Sequence, residues 1–394
     1  MIYIDILFTI ISVFLLIPTL VIFVQILSAR LLSAKHNHIQ DRDISIAVLI
    51  PAHNESTGII ATLNSIKSQL KSAGRILVVA DNCSDDTAKI ASANGVEVLE
   101  RQDKTRIGKG FALDFGIRHL SKQQPEVVII MDADCTLEAN SLNSLANYAL
   151  QSGRPVQSLY LMHASTADLK SRIAEFAWCV KNWVRPLGYA KLGLPCQLMG
   201  TGMAFPWKII ASADLANGSI VEDMKLGLEC ALTGSAPIFL SGSQVSSYFP
   251  ATTEVQSGQR TRWEHGHLSM ILSETPRLFA QALTNRDKNL LAMALDLSVP
   301  PLALLVVFLF SFIVLTGTIF VLSGYALLAF QITLVALIAL TIAMAIAWYT
   351  WGKNIISLSS ILLIPVYVVS KIPHYFKFLF KRQKTWNKTE RDQV

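Results

Sequence analysis

Charge is scarce in this sequence. Only 16% of its 394 residues are Asp, Glu, Lys or Arg, against about 25% in ordinary soluble domains. Hydrophobic residues make up 52% and the mean hydropathy is +0.43, a balance that excludes a wholly soluble chain. Residues 299–322 and 325–349 contain no charged side chain at all. Charges inside membrane segments usually mark transport pathways, so this lack argues against a transporter. Cysteine is also scarce. There are five, an odd number with no C-x-x-C pair, which disfavours both a disulfide framework and a zinc site. All five lie between residues 83 and 230, which suits a reducing cytosolic face. No Lys/Arg run is interleaved with aromatics in the central block. The formal charge of +6 and pI near 9.0 therefore point to a membrane surface rather than to nucleic acid. There is no internal repeat and no low-complexity segment.

Long apolar runs, by contrast, are present. Residues 6–27 carry only Thr9, Ser12, Thr19 and Gln25 as polar members, and about 20 residues suffice to span a bilayer. Pro18 is placed to kink the helix. The segment is too long for a secretory signal, begins beside Asp5, and lacks a small-x-small cleavage site. Arg30 and Lys35 follow it, so the positive-inside rule puts residue 1 outside and the central block in the cytosol. Residues 299–322 and 325–349 read as two more spans joined by a tight outside turn at Ser323-Gly324. The stretch 355–370 covers only about 24 Å as a helix, short of the roughly 30 Å hydrocarbon core. A tail with Lys371, Lys377, Lys381, Arg382, Lys384, Lys388 and Arg391 follows and favours the cytosol, so that stretch reads as re-entrant or interfacial. The expected organisation is a membrane helix over 1–30, a cytosolic catalytic domain with interfacial helices over 31–290, two membrane helices over 291–350, and a short apolar segment with basic tail over 351–394. Such a chain is an integral protein of a plasma membrane of the bacterial inner type.

Between the apolar segments the pattern alternates. Runs at 46–50, 76–80, 96–99 and 127–131 read as strands, and 57–70 and 110–119 have helical spacing. Ser84-Asp85-Asp86 is placed to open a helix by side-chain capping. Fully apolar strands alternating with helices imply an α/β fold, a mostly parallel sheet covered on both faces. Ligands bind such sheets outside the carboxyl ends of the strands, where Asn54, Asp81 and Asp132 fall. Beyond residue 150 the reading is coarser. One helix is expected over 167–189, with an aromatic stripe, another over 222–232 and another over 257–283.

Several of these residues carry chemistry. Asp132 and Asp134, one residue apart at the end of an apolar run, can share a divalent cation with a diphosphate, since Mg²⁺ and Mn²⁺ favour oxygen ligands and leave positions for phosphate. Asp81 can accept from a nucleobase imide or a ribose hydroxyl, or it can simply lead into a helix. Asn54 and Glu55 could complete that pocket, although Glu55 also suits a helix cap. Gly108-Lys109-Gly110 precedes a helix, so backbone N–H groups can approach an anion and Lys109 can neutralise it, although the full phosphate-loop spacing is missing. Glu222-Asp223 opens a helix, where acidic residues are common for dipole reasons. Its sharper reading makes Asp223 a general base that takes the proton of an attacking hydroxyl. Gln259, Arg262 and Trp263 share one helical face. The indole can stack on a sugar and the guanidinium can meet a departing diphosphate, or the face can anchor to lipid headgroups. His265 and His267 read as hydrogen-bonding or surface histidines.

Together these pieces resemble the family 2 glycosyltransferases, in particular the membrane-embedded synthases related to cellulose, chitin and hyaluronan synthases. The match runs in order through Ile50-Pro51-Ala52-His53-Asn54-Glu55, Val79 to Thr87 with Asp81 at its centre, Gly108-Lys109-Gly110, Met131-Asp132-Ala133-Asp134, Gly200-Thr201-Gly202, Glu222-Asp223 and Gln259 to Trp263, over about residues 45–270. The resemblance implies a GT-A-type (Rossmann-like) fold, a UDP-sugar donor, a Mg²⁺ or Mn²⁺ cofactor, and inversion at the anomeric carbon without a covalent intermediate. It implies that Asp81 touches the nucleotide base, that Asp132 and Asp134 serve the diphosphate and metal with Asp134 the more direct ligand, and that Asp223 is the base. Gln259, Arg262 and Trp263, with Glu222, would form the acceptor and leaving-group wall. Chain order alone places Gly200-Thr201-Gly202 and the segment before it along the sugar pocket.

The sequence departs from that family in two ways. Asn82 replaces the second acid of a more usual double aspartate. Only one span precedes the block and at most three apolar segments follow it. This puts processive export in doubt and favours a short transfer. The expected function is transfer of a sugar from a nucleotide sugar to a growing exopolysaccharide or a lipid-linked saccharide, with other polysaccharide-assembly proteins as further partners. A polyprenyl phosphate or simple lipid acceptor is the alternative within enzymes, and a nucleotide-binding membrane module the alternative outside them.

Overall fold

The computed structural model describes residues 2–33, 42–250, 252–372 and 375. The described residues divide into two units, one formed by 42–165 and 194–266, the other by 2–33, 166–193 and the described residues from 267 on. The block expected over 31–290 is thus divided, with 166–193 and the residues after 266 grouping with the apolar helices. Most of the basic tail, from Lys377 on, lies outside the described residues, as does Lys35.

The first of these units is built on one eight-stranded sheet. Its strands are β1 (Ile46–Ala52), β2 (Arg75–Asp81), β3 (Glu97–Arg101), β4 (Val127–Ile130), β5 (Thr136–Leu137), β6 (Val156–His163), β7 (Met203–Pro206) and β8 (Ile238–Tyr248), in the order β3-β2-β1-β4-β7-β6-β8-β5. The half containing β3, β2, β1 and β4 is parallel. Its central strands are apolar because both faces are covered, and Val48, Leu49, Val78, Val79, Val128 and Ile129 are all fully buried. β7 then runs antiparallel to β4 and to β6, while β8 is parallel to β6. The order reverses at β1, since β2 lies on one side of it and β4 on the other. In open α/β sheets that reversal opens a crevice at the carboxyl ends of the strands. The sequence motifs at residues 54, 81 and 132 sit at those ends.

Some boundaries differ from the sequence reading. The helix expected over 57–70 is Ile59–Lys67. The helix after Asp86 starts at Thr87, and Asp86 itself makes no capping bond. Asp85 accepts instead from Thr87 N, the first amide of that helix, at 3.1 Å and from Ser56 N at 3.1 Å, so its carboxylate meets the helix start and ties it to the loop after β1.

The second unit holds three helices long and apolar enough to cross a membrane, Asp5–Leu31, Leu302–Ser323 and Leu327–Gly352. The 355–370 stretch forms only short pieces, Leu358–Ile361 and Ile364–Ser370. The helix expected over 167–189 is Leu169–Cys179 continued by a wider π turn at Val180–Val184 and by Arg185–Lys191. Gln25, on the first apolar helix, is fully buried. Its Nε2 donates to Asp296 Oδ1 at 2.6 Å and its Oε1 accepts from Arg185 Nε at 2.8 Å. Arg185 Nη2 also donates to Asp296 Oδ1 at 2.8 Å. Each polar group therefore meets a partner, which is what makes it tolerable among apolar side chains.

This clasp depends on Gly188. A Cβ there would lie 1.9 Å from Gln25 O and 2.9 Å from Gln25 Cα, a collision with backbone that no side-chain rotation relieves. Gly188→Ala is expected to destabilise this unit by about 3 kcal/mol or more, seen as a lower Tm of the detergent-solubilised protein. An unchanged Tm would mean that the two helices separate at little cost.

Candidate active site

At the ends of β1 and β2 two asparagines adopt left-handed backbone, Asn54 with φ 55° and Asn82 with φ 53°, conformations in which Asn is enriched. Asn54 Oδ1 accepts from Ser84 N at 2.8 Å and its Nδ2 donates to Ser84 Oγ at 3.1 Å. Its side chain therefore shapes the loop rather than pointing free into a pocket. Glu55 is buried, and its backbone N donates to Thr87 Oγ1 at 2.8 Å.

Asp81 is also buried. Its Oδ1 accepts from Arg101 Nη1 at 2.6 Å and from Asn82 Nδ2 at 3.0 Å. Burial raises the Asp81 pKa above its ordinary value, partly offset by Arg101. Asp81 thus presents a carboxylate beside a guanidinium rather than a lone acceptor. Arg101 went unnoticed in the sequence, where only its position at the end of the third strand could have signalled it. It also reaches Asp103 Oδ2 at 3.1 Å, and its guanidinium carbon lies 5.8 Å from the centre of the Phe111 ring.

The other carboxylates gather on Lys109. This residue opens the helix Lys109–Leu120, after Gly108 at φ 134°. Its Nζ lies 2.5 Å from Asp132 Oδ1, donates to Gly200 O at 2.6 Å, and stands 4.0 Å from Glu222 Oε1. Asp223 faces the same place, since a Cβ on Gly200 would sit 3.3 Å from Asp223 Oδ2 and 3.7 Å from Lys109 Nζ. Lys109 is therefore an internal counter-ion. Burial opposes its charge, but Asp132 and Glu222 outweigh that and hold its pKa above the ordinary value. Lys109, Glu222 and Asp223 line a shallow cleft together with Asp214 and Asn217.

Asp134 and Cys135 follow Asp132, and one ligand atom from each of the three lies within 4.8 Å of the others. Burial pushes the Cys135 thiol well above its ordinary value, so it stays neutral and is a poor ligand for a hard cation. The two carboxylates fit Mg²⁺ or Mn²⁺, which take oxygen ligands.

Burial pushes Glu222 up from 4.5 to about 7, against the pull of Lys109. A carboxyl group raised in the folded state binds protons more tightly there than in the unfolded chain. Its contribution to stability is full below 4.5 and is lost as pH rises through about 7. Glu222→Gln is accordingly expected to flatten the fall in Tm over that window, and identical pH profiles for the two proteins would remove Glu222 as its source.

Gln259, Arg262 and Trp263 lie on the helix Thr253–Asn285, and all three are partly exposed. Gly266, on the same face three, four and seven residues later, abuts Val221. A Cβ there would be 2.5 Å from Val221 Cγ1. The triad face thus runs N-terminally from the point where this helix meets the residue before Glu222. His265 is buried. His267 is partly buried, its Nε2 lies 3.3 Å from Leu297 O, and burial pushes its pKa down to about 3.

Comparisons with known proteins agree with this geometry. Residues 43–266, more than half of the chain, match the family described as "Glycosyltransferase like family 2". The probable glycosyltransferase YdaM of Bacillus subtilis is 26% identical over 246 residues, covering 59% of this chain and 58% of that protein. The 4,4'-diaponeurosporenoate glycosyltransferase of Staphylococcus haemolyticus is 32% identical over 200 residues, covering 46% of this chain and 50% of that one. The matches thus span between half and three-fifths of these relatives' lengths. Among solved structures, the mannosyltransferase PcManGT from Pyrobaculum calidifontis, in complex with GDP-Man and Mn²⁺, superposes with a TM-score of 0.57 at 14% identity, covering 95% of this chain and 100% of that one. At that identity the likeness is one of fold. The matched segment contains the GT-A-type sheet, both carboxylate pairs and the Gln-Arg-Thr-Arg-Trp motif, and the chain belongs to the family-2-like glycosyltransferases.

Proposed function

We propose that this chain transfers a sugar from a nucleoside diphosphate donor, a UDP-sugar in the first instance, to a hydroxyl of a lipid-linked acceptor at the cytosolic face of a membrane, with inversion. The observation that carries the reading is the convergence on Lys109 of Asp132, Glu222 and Asp223 from segments about ninety residues apart. Three long apolar helices support an acceptor that stays in the bilayer. The relatives' names support the transfer, and the GDP-Man complex of PcManGT makes GDP-mannose the donor to test beside UDP-sugars.

In this reading the base and ribose lie along Asn54 and Asp81, where Arg101 supplies a donor next to the Asp81 acceptor. Asp132 and Asp134 would hold Mg²⁺ or Mn²⁺, which would offset charge on the departing diphosphate. Asp223 takes the proton of the acceptor hydroxyl as its oxygen bonds the anomeric carbon. The bond from that carbon to the diphosphate breaks, and the diphosphate leaves with the electron pair. Arg262 meets that leaving charge, and Trp263 and Gln259 flank the acceptor. Lys109 keeps Asp132 and Glu222 from repelling a second anion.

The test is release of nucleotide from UDP-glucose, UDP-N-acetylglucosamine, UDP-galactose and GDP-mannose by solubilised protein with Mn²⁺ or Mg²⁺ and membrane lipid extract. Product mass would then separate a lipid glycoside from a polymer. Absence of both release and calorimetric binding for every donor would overturn the proposal. Binding without release, in the presence of acceptor lipids, would leave a nucleotide-binding module instead.

A further inference from the structure

Gln157, on β6, is fully buried and touches none of the charged residues above. It is nevertheless fully engaged. Its Oε1 accepts from Met199 N at 2.8 Å, and its Nε2 donates to Thr201 O at 2.9 Å and to Ser158 O at 2.9 Å. Ser158 N donates to Gly202 O at 2.9 Å. Two neighbouring residues of one strand therefore hold the whole Met199–Gly202 turn. That turn needs holding, because Gly200 and Gly202 have φ 92° and 62°. It also packs without slack, since a Cβ on Gly202 would fall 1.9 Å from Ser158 Oγ.

The far side of the same turn touches three of the candidate site's charged residues. Gly200 O accepts from Lys109 Nζ at 2.6 Å, and Gly200 lies against Asp223 Oδ2. Thr201, also fully buried, accepts from Asp132 N through its Oγ1 at 3.0 Å. The backbone of Asp132, the ammonium of Lys109 and the carboxylate of Asp223 are thus all referenced to one four-residue turn, and that turn is referenced to Gln157. A buried amide with both ends used is rigid, and its loss leaves Met199 N and Thr201 O without these bonds in a buried place.

We propose that Gln157 is a positioning residue which, through the Gly200-Thr201-Gly202 turn, fixes the spacing between Asp132 and Asp223, and so between the departing diphosphate and the base. This rests on the glycosyl-transfer reading above. It acts without touching substrate, so it governs the chemical step more than donor binding.

The experiment compares wild type with Gln157→Leu, Gln157→Glu, Thr201→Val and the Gln157→Leu/Thr201→Val double variant, in nucleotide release and thermal unfolding. Gln157→Glu keeps the acceptor for Met199 N but loses the donor to Thr201 O. Thr201→Val removes one hydroxyl at nearly constant volume, and it carries the test should Gln157→Leu fail to fold. Each folded variant is expected to lose about 10–100-fold in kcat, with donor KM changed by less than about threefold. The double variant should be little worse than the poorer single one, because both act along one path. Folded variants whose kcat stays within about twofold of wild type would overturn the inference and leave the transfer reading intact, as would single losses that multiply in the double variant. A wild type inactive on every donor would overturn the transfer reading, and this inference with it.

Discussion

Asp223→Asn should lower kcat by about 10²–10⁴-fold, the usual contribution of a positioned general base, while leaving donor affinity near that of wild type. The amide keeps the shape of the carboxylate and cannot take a proton. Its neighbours sharpen the prediction. Glu222, beside it, is pushed up to about 7 and so keeps its proton into the neutral range. Of the two adjacent acids, Asp223 is the one that lies against the Gly200 turn. Glu222→Gln should cost much less than Asp223→Asn in turnover. Rates from saturating donor and calorimetric donor binding check both statements. If Asp223→Asn weakened donor binding as much as it slowed turnover, Asp223 would be a donor ligand rather than the base.

Lys109→Met should be nearly as damaging, for a different reason. The substitution keeps the length of the side chain and removes the ammonium that stands 2.5 Å from Asp132 and 4.0 Å from Glu222. Losing one partner of a buried ion pair typically costs about 3–5 kcal/mol. Here the Lys109 and Asp132 side chains keep 18% and 30% of their exposure, and solvent screening reduces the expected loss to about 1–3 kcal/mol. Turnover should fall by about 10²–10³-fold, as when one electrostatic group of a catalytic site is removed. Lys109→Arg should recover little, because a planar fork cannot replace a compact cation that donates to both Asp132 and Gly200 O. Combining Lys109→Met with Glu222→Gln should return part of the lost stability at alkaline pH, where Glu222 would otherwise stand ionised near Asp132 without a counter-ion. Tm and kcat of the three variants measure this. Additive losses in the double variant would show that Lys109 and Glu222 do not sense each other.

The parallel half of the sheet was plain in the sequence, because strands covered on both faces must be apolar throughout. The runs before Asp81 and Asp132 contain no polar residue to blur them. The other half was not. β6 carries Gln157, Ser158 and His163, and β8 carries Ser241, Gly242, Ser243 and Gln244. Neither alternates cleanly, since buried serines and a buried glutamine stand where apolar residues would have given the signal. The same polarity hid Gln157, whose role comes from bonds to a turn more than forty residues away. Asp81, Asp132, Asp134 and Asp223 were legible because acids at strand ends and helix starts follow simple rules. Arg101 and the double use of Lys109 were not, because pairing of charges across loops depends on the fold. The capping at residues 84–86 was legible as well, but which residue does it was not, since Asp85 rather than Asp86 meets the Thr87 amide.

The clasp of Gln25, Arg185 and Asp296 also bears on how the chain is made. Gln25 leaves the ribosome well before Asp296, which follows it by 271 residues. At about 5–20 residues per second, roughly a quarter to one minute separates their synthesis. During that interval a helix that reads as a membrane span carries an amide whose carboxylate partner does not yet exist. The first helix is consequently not an interchangeable anchor. An unrelated apolar helix of the same length could insert as well or better, yet Arg185 and Asp296 would then have no glutamine to bridge them, and Gly188 would face a backbone it was not cut to fit.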